Sequence, residues 1–200
     1  MPIDINTDGA GSGGDFLPVL KWDAQAGECL VRRSEKNAAG GWDKKWEQLN
    51  FPLRFVADFE NLERGWIRIK GTPDFVMTKL SQPKPAQPSA EHAEGVRFNL
   101  FGKATGLAAF SHTAKTVMVE LKTLFIAYEA GKAANAGKLP VVEIKGIKKV
   151  ERPTKDGTKT YRVPDWSIVA WVDRPAEFSA PVAVAAEPVK QVELDDSVDF

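Results

Sequence analysis

Soft metal ligands are scarce in this chain, which has one cysteine, Cys29, and two histidines in 200 residues. A single thiol excludes an intramolecular disulfide framework, and one cysteine with two histidines is too small a set for a structural zinc site. Reducing, cytoplasmic surroundings are expected. Long apolar runs are missing too. None reaches the roughly 18–20 residues that a membrane-crossing helix needs, and Met1–Gly14 (MPIDINTDGAGSGG) has neither the basic start nor the apolar stretch of a secretory signal. A soluble protein without a membrane partner is expected. The G-x-S-x-G elbow and the G-x-x-x-x-G-K phosphate loop are also absent, so the reading is of a non-enzyme, with no catalytic residue, cofactor or metal.

An excess of one charge is lacking as well, since 27 Lys and Arg meet 27 Asp and Glu. Nucleic-acid binders are usually basic, but the charge is unevenly spread. Residues 181–200 hold five acids (Glu187, Glu193, Asp195, Asp196 and Asp199) and one base (Lys190), which leaves 26 bases against 22 acids in the first 180 residues. A mildly basic body is followed by an acidic tail. Three segments are expected: a Gly-rich, flexible start over 1–14, a folded body over 15–178, and a disordered tail over 179–200.

Periodicity gives the body its elements. FLPVLKW and ECLVRR read as a hairpin across DAQAG, with Pro18 pointing to edge strands. SEKNAAGGWDKKWEQ reads as a polar loop holding Trp42, Lys44, Lys45 and Trp46. Leu53, Phe55, Ala57 and Phe59 alternate against Arg54, Val56 and Asp58, which is strand periodicity. GWIRIK sets Trp66, Arg68 and Lys70 opposite Ile67 and Ile69. SQPKPAQPSA (81–90) reads as an extended connector, and GVRFNLFGK puts Val96, Phe98 and Leu100 in step. Val117, Leu121, Leu124, Phe125 and Tyr128 recur at helical spacing, with Ser111 as N-cap and Gly131 as C-terminal stop. LPVVEIKGIKKVE and TYRVPDWSIVAWV form a second long hairpin around Asp156-Gly157. His92 and His112 read as exposed structural residues. The expected fold is mostly β (α+β), an OB-fold-like antiparallel barrel with one inserted helix.

Stacking faces and cations in company are what a binder of single strands requires. Three groups supply them: Trp42, Lys44, Lys45 and Trp46; Arg54 with Arg64, Trp66, Arg68 and Lys70; and Lys145, Lys148, Lys149, Arg152, Tyr161 and Arg162 on the last hairpin. Each aromatic also has a plain reading as core packing. The tail adds Asp195, Asp196, Asp199 and Phe200, acids and a terminal aromatic of the kind a basic pocket on a partner clamps.

Leu194–Phe200 (LDDSVDF) resembles the acidic C-terminal tip of bacterial and tailed-phage single-stranded DNA-binding proteins, which also ends in an aromatic residue. GDFLPVLKWDAQAG, FENLERGWI and KLPVV resemble a family of phage-encoded DNA-binding proteins with an OB-type domain. The resemblance implies non-specific coating of single-stranded DNA in replication or recombination, in the host cytoplasm if the chain is phage-encoded, with the tail recruiting replication or recombination proteins. By its charge alone, a flexible acidic tail is also expected to compete with nucleic acid for the body's cations. The chain departs from the bacterial tip in lacking a proline before the terminal Phe, which counts against recruitment of the host's own partners.

Two other classes compete. Pro73-Asp74 and Glu143-Ile144-Lys145 resemble the PD and E-x-K elements of a metal-dependent nuclease family, in which carboxylates hold a divalent ion and the lysine steadies the attacking water; they lie 69 residues apart, with a helix between. An interaction or assembly protein without nucleic-acid binding would bury Trp42, Trp46 and Trp66 or scatter them over different faces. A DNA binder would gather them with Lys44, Arg64, Arg68 and Lys148 in one groove.

Overall fold

Asp23 bends the chain first. Its Oδ1 accepts the backbone N–H groups of Gln25 (2.9 Å) and Ala26 (3.0 Å), and Gly27 takes a φ of +75° to finish the turn. That turn joins β1 (Val19–Asp23) to β2 (Glu28–Lys36), and the chain returns as β3 (Trp42–Leu49) through a turn with Gly40 at φ +82°. The computed structural model describes residues 17–178 except positions 39, 72 and 156, and leaves out the side chains of Lys36 and Trp42. The acidic tail, with Asp195, Asp196, Asp199 and Phe200, and the Gly-rich start lie outside the described residues, as does Asp156 of the expected turn.

The remaining elements are β4 (Leu53–Ala57), a 3-10 turn (Phe59–Asn61), β5 (Glu63–Arg68), β6 (Asp74–Lys79), β7 (Ala93–Gly102), β8 (Gly106–His112), α1 (Lys115–Lys132), β9 (Lys138–Thr154) and β10 (Gly157–Asp173), with 3-10 turns at Ala133–Asn135 and Ala176–Phe178. The ten strands make one sheet in the order β10-β9-β4-β7-β8-β1-β2-β3, while β5 pairs with another stretch of β7 and carries β6. The mostly-β, α+β class expected from the sequence is the one observed.

The sheet is mixed, because β1 runs parallel to β8 while the other pairs are antiparallel. It also stops short of a closed barrel. Terminal strand β10 nevertheless reaches back to β1 and the β1–β2 turn: the Arg162 N–H donates to the Ala24 carbonyl (3.1 Å), and Trp22 Nε1–H donates to the Arg162 carbonyl (2.8 Å). Beyond that latch β10 has no amide to offer at Pro164, and register shifts at Asp165/Trp166 and Ile168/Ala170 break the regular ladder.

One face of the sheet carries the core, which includes Leu20, Trp22, Val31, Phe55, Phe98 and Val142. Helix α1 adds Val117, Leu121, Leu124 and Tyr128, the positions that share one stripe at helical spacing. Tyr128 stacks on Trp171 (5.7 Å, 22°), and Phe59 meets the edges of Phe98 and Phe125.

Several local expectations change. Ser111 ends up in β8; the helix begins after Ala114, whose N–H is accepted by His112 Nδ1 (3.0 Å). Gly131 lies inside the helix, where a Cβ would come within 2.6 Å of the Trp171 ring, so close packing explains it better than a stop signal. The supposed polar loop is mostly strand β3. Nor is β1 an edge strand: it is flanked by β8 and β2, and Pro18 precedes it while lending its carbonyl to Ala109 N–H (2.8 Å). His92 is buried and His112 partly so, contrary to the exposed positions expected.

Candidate functional site

Strand register decides which of the cations and aromatics can act together. Residues directly opposite in an antiparallel pair share a face, so the Arg32↔Trp46, Ser34↔Lys44 and Val19↔Arg32 pairings put Arg32, Lys44, Trp46 and Val19 on the face away from the core. Lys21, two residues along β1 from Val19, joins them. Trp46 is 44% exposed, with the Lys21 ammonium 5.9 Å and the Arg32 guanidinium 5.8 Å from its ring centroid. The result is an open indole flanked by two cations on a sheet surface. Lys45 points to the opposite face beside Arg33, which is tied to Glu47 (3.0 Å) and to the Ala104 carbonyl (2.7 Å). Trp42 opens β3, but its side chain lies outside the described part.

The outer surface continues onto the last strands. Arg54 is opposite Glu143 and bonds to it (2.5 Å). Lys149 and Arg162 are cross-strand partners, and with Glu151 and Thr160 they line a depression of about 490 Å³. The Arg162 guanidinium also donates to the Gln25 carbonyl in the β1–β2 turn. That turn keeps the Asp23 carboxyl below the usual carboxylate range, chiefly through the Ala26 and Gln25 amides.

Other predicted positions go elsewhere. Lys148 turns toward the helix and pairs with Glu120 (3.1 Å). Lys145 is exposed beside the register shift, and Lys70 is exposed after β5. Arg152 and Tyr161, both half-buried, share the face of buried Val163 rather than that of Arg162. Arg64, Trp66 and Arg68 are engaged within the protein: Arg64 Nη2 donates to the Gln82 carbonyl (3.2 Å), Trp66 Nε1 to the Pro85 carbonyl (2.8 Å), and Arg68 pairs with Glu91 (3.5 Å). One groove holding every candidate is therefore not formed.

No family model, curated protein or solved structure matches this chain.

Lys21 and Arg32 were missed by sequence reasoning. Alternation of Lys21 with buried Leu20 and Trp22 gave a signal for the first; the second needed the β2–β3 register, which treating the segment as a loop concealed. Asp74 and Glu143, the acids of the nuclease-like elements, sit on strands that do not pair and are each held by a base, His92 Nε2 (3.0 Å) and Arg54 respectively. Among the described residues no group of three or more His, Cys, Asp or Glu side chains is placed to hold a metal ion. Nor is any described helix long and apolar enough to cross a membrane.

Proposed function

We propose that the protein is a non-enzymatic, non-sequence-specific binder of single-stranded DNA, acting in phage or bacterial DNA replication or recombination. The observation that carries this reading is Trp46, exposed between Lys21 and Arg32 on a sheet face. A base stacks on the indole while the neighbouring cations take the phosphates on either side, a combination that tolerates any sequence because every base has a π-face. Lys44 extends the same face, and Lys149 and Arg162 offer further phosphate contacts. In this reading the acidic tail, by its charge, competes with DNA for the body's cations at low salt and recruits replication or recombination proteins through its terminal Phe200.

Titration with oligo-dT, followed by tryptophan fluorescence, tests the proposal. Quenching that saturates, with duplex bound more weakly, is expected; no quenching, or equal affinity for duplex, rejects it. Removing residues 188–200 should raise affinity at low salt, and weaker binding would show that the tail does not compete.

The second reading is an interaction or assembly protein that binds no nucleic acid. The separation of Trp46 from Trp66, which bonds to its own chain, favours it. The same titration separates the two.

A further inference from the structure

Residues 80–92 cross the outside of the β5–β6 hairpin as a strap containing Pro83, Pro85 and Pro88. Beneath them Arg64, Trp66 and Arg68 stand on one strand face, roughly 6.8 Å from one to the next given the strand repeat. This cation, indole, cation row has the same chemistry as the open Trp46 cluster. The strap meets it acceptor for donor, with the Gln82 carbonyl on Arg64, the Pro85 carbonyl on Trp66 and the Glu91 carboxylate on Arg68, and Lys84 lies 4.6 Å over the Trp66 ring.

The match is incomplete. The Nε atoms of both Arg64 and Arg68 are buried without a hydrogen-bond partner. Buried donors are rarely left so, and a guanidinium is shaped for a ligand with two oxygens side by side, such as a phosphodiester. The strap supplies single carbonyls and one carboxylate at 3.5 Å. Its ends are anchored by the Leu80 N–H on the Leu62 carbonyl and by buried His92 between Ser89 Oγ (2.8 Å) and Asp74 Oδ2 (3.0 Å), whereas its middle is tied down through exposed side chains, Lys84 to Glu94 (3.0 Å) and Thr78 to Gln82 (2.6 Å). Between those ends all but Pro85 among residues 81–91 are exposed, and exposed ion pairs hold weakly.

We propose that the strap is a displaceable cover, and that Arg64, Trp66 and Arg68 beneath it form a second contact site for single-stranded DNA, used when the segment between Leu80 and His92 lifts. The proposal rests on the single-strand reading above. Prolines suit the cover because an extended segment can swing away without first unfolding.

A reporter on the strap tests it. Ala86→Cys in the full chain is labelled with bimane, a fluorophore that tryptophan quenches on contact. Cys29 stays unlabelled because it is buried and its thiol is pushed up to about 12 by burial. The label should be dim in the free protein, bright from the start in a Trp66→Phe background, and brighten at least twofold when saturating oligo-dT is added to the Trp66-containing protein. Binding is followed in parallel by the anisotropy of a labelled oligo-dT. If anisotropy rises while bimane stays dim, the strap does not lift and the proposal fails, leaving the Trp46 reading intact. If anisotropy does not rise, the single-strand reading fails and takes this proposal with it.

Discussion

Trp46 and Trp66 begin from similar sequence settings, each two residues from a cation on the same strand face, and the fold uses them in opposite ways. Trp46 lies on an edge strand, 44% exposed, with the Lys21 and Arg32 side chains beside its ring. Trp66 lies on β5, between β6 and β7, with its indole N–H bonded to the strap and Lys84 over its ring. What separates them is the chain that follows. After β3 the polypeptide enters β4 in the body of the sheet, whereas after β6 it doubles back over β5 before starting β7. A tryptophan among cations thus becomes surface or seat according to a connection that neither residue specifies.

The comparison breaks most sharply on stability. Trp66→Ala removes a half-buried indole and strands the Pro85 carbonyl, and about 3 kcal/mol of folding stability should be lost in urea unfolding; a loss under about 1 kcal/mol would mean that strap and ring are not packed as described. Trp46→Ala should do the reverse. Oligo-dT affinity should fall by about 1–3 kcal/mol, the usual worth of one stacked base, while stability moves by no more than about 0.5 kcal/mol. If Trp46→Ala binds normally, the stacking surface is elsewhere.

How far the sequence exposed this contrast follows from which contacts are local. Helix α1 was legible because Val117, Leu121, Leu124 and Tyr128 repeat on one stripe, and β4 because Leu53, Phe55 and Ala57 alternate into the core. The β9–β10 hairpin was legible from two long runs around a turn. β3 was hidden because Asp43–Gln48 are all exposed and only Leu49, opposite Cys29, is buried, so no alternation marks the strand. The cover over Trp66 was hidden for a different reason. Its hydrogen bond to Pro85 spans 19 residues and depends on the path of a connector that has no periodicity of its own.

A smaller effect tests the cations beside Trp46. Arg32 lies beside the Trp46 ring and opposite it in the β2–β3 ladder. Arg32→Ala should weaken oligo-dT binding and reduce the slope of log affinity against log salt by about 1, one released counterion. Arg64→Ala, whose guanidinium is occupied by the Gln82 carbonyl, should leave that slope unchanged if the strap stays down and lower it if the strap lifts. The salt series therefore reports on both tryptophan faces at once.

The smallest expected effect concerns His112, which joins β8 to the strand carrying Lys21. Its Nε2–H donates to the Trp22 carbonyl (2.9 Å), while Nδ1 accepts the Ala114 N–H at the helix start. A backbone N–H pointing at Nδ1 cannot reverse, so this arrangement favours the neutral ring in the folded protein. Burial pushes the histidine below its ordinary value of 6.5, outweighing the Trp22 carbonyl, which pulls the other way. The folded state then binds fewer protons than the unfolded chain, so stability rises with pH across the window between the lowered value and 6.5. On acidification it should begin to fall as pH drops through 6.5 and level off below the folded-state value. His112→Gln keeps one donor and one acceptor without a titrating ring, so the difference between its urea midpoints and those of the parent should shrink as pH falls through that window. Parallel curves would mean that the Ala114 amide does not hold Nδ1, and that the helix start is fixed by the backbone alone.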